Sequence, residues 1–276
     1  MHELRSRFRR ASIAVVASIA MVGHGSAAAE PEVEIRTVSR PGLDVVYAAP
    51  VTEAMASRVA DRVEQAKSRS LAFLRQSRVY PDDRAEVPIR VLIDPDAPAP
   101  SQMRSTISLP QDRVLAFFDE EVEGTVSLAI THEVVHVLAV SAYRREQGRF
   151  FDDGLAVFLQ SELDDLPAYP NFHRGLHIVT AAAARARGGL LALEDTESSR
   201  RNPPDREALR LAYLQEASFT QHLIERFGLD AYLRIYYGES PDDVVGSTLV
   251  DLDGEWRAFI GALQRSDPGD PLDEPG

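Results

Sequence analysis

The stretch THEVVHVL, Thr131 to Leu138, places two histidines four residues apart with a glutamate directly after the first. On an α-helix, residues i and i+4 share a face, so His132 and His136 can aim their rings at one point, with two nitrogens about 2.0–2.1 Å from a zinc ion. Glu133 lies about 100° further round the helix, where it does not ligate but can take a proton from water beside the metal. A chance H-E-x-x-H in a chain of this size is on the order of 1–2%. The setting therefore matters as much as the motif. Residues 120–143 read as a helix that is apolar on nearly all sides between Val126 and Val140. Two imidazoles and a carboxylate buried there without a metal would each need another partner.

Catalytic zinc takes three protein ligands and leaves a fourth position for water. The chain has no cysteine, so those ligands must be nitrogen and oxygen. Seventeen residues past His136 stands Asp153, within RFFDDGLAVFLQSE (149–162). Three readings are open for this acidic pair. Asp153 ligates, or Asp152 assists it, or both acids only complement the dipole at a helix N-terminus.

THEVVHVL, followed by an aromatic pair, an acid, Gly and Leu-Ala, resembles the gluzincin class of zinc metallopeptidases, specifically the bacterial peptidase-MA-like domains. Their pattern is H-E-x-x-H and then W-L-x-E-G-x-A on a second helix. Phe150, Phe151, Asp152, Asp153, Gly154, Leu155 and Ala156 match that second block position by position, with Asp153 where the family has its third ligand, Glu. GGLLAL (188–193) is similar to the family's G-x-L-x-x-L turn, AYLQEASFTQHLIERFG (212–228) to a later helix, and Trp256 to a late tryptophan, so the resemblance covers roughly residues 85–264.

The resemblance implies an α+β, zincin-like fold with a small twisted N-terminal sheet, an active-site helix and a mostly helical C-terminal part. It implies Zn2+ held by His132, His136 and Asp153, Glu133 as general base, Tyr213 as donor to the oxyanion, and a peptide or protein substrate. Asp is one methylene shorter than Glu, so the second helix must approach the histidines more closely. That substitution also motivates an alternative, a zincin-like binding or assembly factor of the cell envelope with little or no turnover.

The rest of the chain sets the frame. With 30 basic and 43 acidic residues the formal charge is −13, which disfavours nucleic acid and anionic membrane surfaces as partners. MHELRSRFRR, a short apolar run and small residues ending at Ala29 read as a secretory signal peptide over residues 1–29. The expectation is export across the inner membrane, to the periplasm or outside the cell, with no stable membrane insertion after cleavage. An α/β part with the HExxH helix is expected over 30–146, a helical part over 147–264 and a disordered tail over 265–276.

Within these parts, VEIRTV and LDVVYA read as strands around SRPG, and a helix of about 22 residues follows the N-cap Thr52. VPIRVLID (87–94) reads as a strand and DPDAPAP as an exposed loop. RSTISL and RVLAFF read as a strand pair joined by PQD, with RVLAFF a candidate edge for binding an extended peptide. Further helices are expected over 150–163, 172–187, 205–226 and 230–236, with ESSRRNPPD (197–205) as a linker. His173 and His177 read as a surface pair, and His222 as a surface or capping histidine.

Overall fold

The computed structural model describes residues 34–119, 127–139, 150–165 and 167–266. The expected signal peptide lies outside these residues, as do 120–126, 140–149 and the tail from 267. Strands β1 (Ile35–Arg40) and β2 (Leu43–Ala48) form an antiparallel hairpin in which Arg40 faces Leu43. Only two residues connect them, Pro41 and Gly42, and Gly42 sits at φ 72°, as the third position of a type II turn requires.

Helix α1 (Glu53–Leu74) follows. The Thr52 hydroxyl accepts from the Met55 N–H at 3.2 Å, and Ala56, Val59, Ala60, Val63, Ala66, Ser70 and Leu74 form the buried stripe. Burial every third or fourth residue docks the helix on β2. Strand β3 (Ile89–Asp94) buries Ile89, Val91 and Ile93 in alternation and runs parallel to β2. Strand β4 (Ser101–Met103) turns back through Arg104 at φ 58° to β5 (Thr106–Pro110), which pairs antiparallel with β4 and parallel with β3. The sheet is mixed, in the order β1-β2-β3-β5-β4, so β4 is an edge.

RVLAFF is not a strand. Helix α2 (Gln111–Phe117) runs through it, starting after Pro110, with Val114 and Phe117 buried three residues apart. The Arg58 and Arg62 guanidinium groups lie over the Phe118 and Phe117 rings, at 4.4 and 5.3 Å. An apolar run this short fits either period, and here a proline before it and packing on β3 and β5 favour the helix. The peptide-binding edge expected at RVLAFF is thereby overturned.

The histidine motif lies on α3 (Ile130–Leu138), shorter than the helix expected over 120–143, because Ala139 is already extended. Helix α4 (Phe150–Leu163) is buried on all sides from Phe150 to Gln160. Helix α5 (Leu176–Arg187) begins later than expected, since Phe172 and His173 occupy the left-handed region at φ 52° and 60°. Helix α6 (Leu193–Arg201) runs into the expected linker, and the chain breaks only at Asn202.

Helix α7 (Arg206–Tyr236), N-capped by Asp205 through a 2.7 Å bond from the Ala208 N–H, is kinked at Gly228 (φ 83°, ψ 163°) between the two expected helices. Helix α8 (Pro241–Val245) and helix α9 (Leu249–Ser266) close the fold, with α9 extending two residues into the expected tail. The architecture is α+β: a five-stranded mixed sheet early in the chain and a mostly helical remainder. One hydrophobic cluster runs from Val45 and Val91 in the sheet through Val134, Leu155 and Phe219 to Trp256. No helix among the described residues is long and apolar enough to cross a membrane.

Candidate metal centre

Helix α3 owes its form to packing. Its valines are weak helix formers, yet Val134, Val135, Val137 and Leu138 are all buried where α3 meets α1 and α4. Ala129 precedes it in the left-handed region (φ 51°), and no side chain caps it. Its ends are tied down by tertiary bonds instead. The Thr131 hydroxyl donates to the Asp164 carboxylate at the end of α4, and the Tyr80 hydroxyl donates to the Leu138 carbonyl at 3.1 Å. Burial pushes the Tyr80 phenol up to about 12, so it remains a donor at any physiological pH.

Between these ends, His136 Nε2 lies 3.0 Å from His132 Nε2 and 3.1 Å from Asp153 Oδ1, and His132 Nε2 lies 3.5 Å from the same oxygen. These three residues form the metal-compatible cluster among the described residues. Tetrahedral ligands at about 2.0–2.1 Å from zinc stand roughly 3.3–3.4 Å from one another. The triangle of 3.0, 3.1 and 3.5 Å has that size. Three atoms that carry lone pairs converge on one point, and only a cation or shared protons can hold them there. The donor set fits zinc: two imidazole nitrogens, one carboxylate oxygen and one position left over.

The three donors differ in how far they reach toward solvent. His136 and Asp153 side chains are 2% and 3% exposed, whereas His132 is 12% exposed. Beside His132 stands Tyr213 of α7, its ring edge-on with centroids 6.2 Å apart. Glu133, in the first turn of α3, is buried. Burial pushes the Asp153 carboxyl up, but hydrogen bonds from His132 and His136 and the charges of His136 and Arg200 outweigh it. The group is held well below the usual carboxylate range and is ionised.

Asp152 goes elsewhere. It is buried and accepts a 2.9 Å hydrogen bond from the Tyr236 hydroxyl, whose phenol is pushed far up by burial and by the Asp152 charge. Neighbours on a helix point about 100° apart, so one acid of the pair faces the histidines and the other faces α7. Complementing a helix dipole does not account for two carboxylates this deeply buried, since that effect is a surface one of about 0.3–1 kcal/mol.

Sequence reasoning missed Arg200 and Glu216. The Arg200 Nη1 lies 3.0 Å from Asp153 Oδ2 and its Nε lies 3.4 Å from Glu216 Oε1, with Glu216 fully buried on α7. A glutamate set among Leu214, Ala217 and Phe219 in LQEASF was the available signal for it. A separate cavity of about 50 Å3 opens at the N-terminal end of α3 among Arg62, Arg69, Thr131 and Asp164, and none of the three donors lines it.

The other described histidines, His173, His177 and His222, are not part of this cluster. His173 is exposed, as expected, but His177 is not its surface partner. Because α5 starts at Leu176, His177 faces inward, with Nδ1 2.8 Å from Ser218 Oγ, Nε2 3.3 Å from Glu225 and the ring against Phe259. His222 is half-buried and stacks on the other side of this group, 5.6 Å from the Phe259 ring.

Burial lowers the His177 pKa against the opposing pull of Glu225, and burial together with the His177 and Arg226 charges lowers that of His222. The unfolded chain then binds protons first. Stability is fully present above about pH 6.5 and is lost as pH falls toward the lower folded values. His177→Gln is expected to shrink the drop in urea midpoint between pH 7.5 and 5.5, measured on zinc-free protein. An unchanged drop would contradict this assignment.

Comparison with family models, with curated proteins and with solved structures gives no match.

Proposed function

We propose that the chain is a secreted zinc metallopeptidase of zincin-like architecture. The observation that carries this reading is the donor triangle of His132, His136 and Asp153, sized for tetrahedral zinc and built on an H-E-x-x-H helix. Zinc held there would act as a Lewis acid toward a carbonyl oxygen and ease proton loss from water near neutral pH. Glu133 accepts the proton of the attacking water and returns it to the leaving amine. Tyr213, beside His132, donates to the oxyanion as it develops.

The substrate is an extended peptide. It pairs with β4, the edge strand that packs against α3 and carries Met103 at 76% exposure. Export follows from the signal-like residues 1–29.

The test is cleavage of a mixed peptide library by the mature chain, read by mass spectrometry. Cleavage is expected to stop with a chelator and return on adding zinc. Cleavage indifferent to the chelator, or none with zinc bound, would sink the proposal.

A further inference from the structure

Arg200 stands on the last turn of α6, in the stretch 197–205 that the sequence alone presents as a linker. Its side chain is 9% exposed and lies between two sealed carboxylates, Asp153 at 3% and Glu216 at 0%. The Asp153 carboxylate is thereby divided. Oδ1 faces the two histidine nitrogens at 3.1 and 3.5 Å, and Oδ2 faces the Arg200 guanidinium at 3.0 Å.

The start of α6 is fixed by the neighbour of Glu216. The Gln215 side chain accepts from the Leu191 N–H at 2.7 Å and donates to the Leu191 carbonyl at 3.1 Å. Arg257 of α9 donates to the same carbonyl at 2.6 Å. Adjacent residues of α7 thus hold the approach to α6 through Gln215 and its last turn through Glu216 and Arg200.

A carboxylate free to turn about its Cβ–Cγ bond offers a metal either oxygen or both. One whose Oδ2 faces a guanidinium at ion-pair distance keeps that oxygen turned away from the histidines and presents Oδ1 to them. We propose that Arg200 is the positioning residue of the metal centre: it locks Asp153 as a ligand through one oxygen, and Glu216 holds Arg200 in that pose. The inference rests on the zinc-binding reading above. It also explains how a short Asp serves at this position, since its aim is set from behind rather than by its own length.

The test compares zinc affinity, by competition with a chromophoric chelator, in the full mature chain and in Arg200→Met, Arg200→Lys and Asp153→Ala. Outer-shell partners of metal ligands are worth about 10–100-fold in affinity, so Arg200→Met is expected to lose that much with its circular dichroism unchanged. Arg200→Lys restores part of the loss, since its ammonium supplies the charge but cannot reach Asp153 and Glu216 with separate nitrogens. In the Asp153→Ala background, Arg200→Met is expected to cost nothing further, because the carboxylate it aims is gone. The visible spectrum of the cobalt-substituted Arg200→Met protein is expected to shift, which a purely structural role would not produce.

If Arg200→Met does not fold, Arg200→Lys carries the comparison, with a measurable loss expected and an unchanged affinity overturning the proposal. Wild-type protein that binds no zinc would defeat the metallopeptidase reading itself. Wild-type binding with equal affinity in the Arg200 variants, or an equal loss with and without Asp153, would overturn the positioning role alone.

Discussion

Glu133→Gln is expected to lower peptide hydrolysis by about 10²–10⁴-fold while leaving zinc content and thermal stability at wild-type levels. Gln has the shape of Glu but cannot accept the proton of an attacking water. Glu133 is 6% exposed in the first turn of α3, beside His132 and among packed valines, so a near-isosteric replacement leaves the helix undisturbed. Tyr213→Phe should cost less than Glu133→Gln, since it removes one donor to the oxyanion while the metal still shares that charge. Full biological activity in Glu133→Gln would point instead to a binding or assembly factor that keeps the metal but performs no hydrolysis.

Gly154→Ala is expected to destabilise the chain by about 1–3 kcal/mol or more, read as a lower urea midpoint. Helix propensity alone predicts the opposite sign, because Ala in a helix interior is favoured over Gly by about 0.8–1.0 kcal/mol. Contact decides the outcome. A Cβ at Gly154 would lie 2.5 Å from Thr220 Oγ1, 2.7 Å from the Glu216 carbonyl oxygen and 3.1 Å from its carbon. The Thr220 hydroxyl, bonded to Tyr232 at 3.3 Å, has some freedom to turn, but the Glu216 backbone in the middle of α7 has none.

The two helices must therefore part, which carries Asp153 on α4 away from Glu216 on α7. Zinc affinity is expected to fall together with stability. A variant as stable as wild type would show that α4 and α7 are not this close.

Much of the centre is legible in the sequence because its signals are local. Histidines four apart on a helix must share a face, and the resemblance of the F-F-x-D-G-x-A block to the metallopeptidase pattern points to Asp153 and its glycine together. Helix α1 is likewise announced by its N-cap and its stripe of small apolar residues. What the sequence hides is set by tertiary contacts. RVLAFF contains as many strand formers as helix formers, and only its place after Pro110 and its packing on the sheet make it a helix. Arg200, in a run of serines and arginines, looks like any solvated charge until α6 folds against α7 and closes it over Asp153. Asp152 and Asp153 are chemically identical, and only the direction each faces around α4 separates the partner of Tyr236 from the partner of the histidines.

Every role proposed for this site depends on a metal held by His132, His136 and Asp153. The zinc content of purified, dialysed protein lacking residues 1–29, read by plasma emission spectrometry alongside His136→Ala, tests this at once. About one zinc per chain is expected in the wild type and almost none in the variant, because a three-ligand site has then lost a nitrogen. Wild-type protein carrying less than about a tenth of an equivalent after exposure to excess zinc would contradict it.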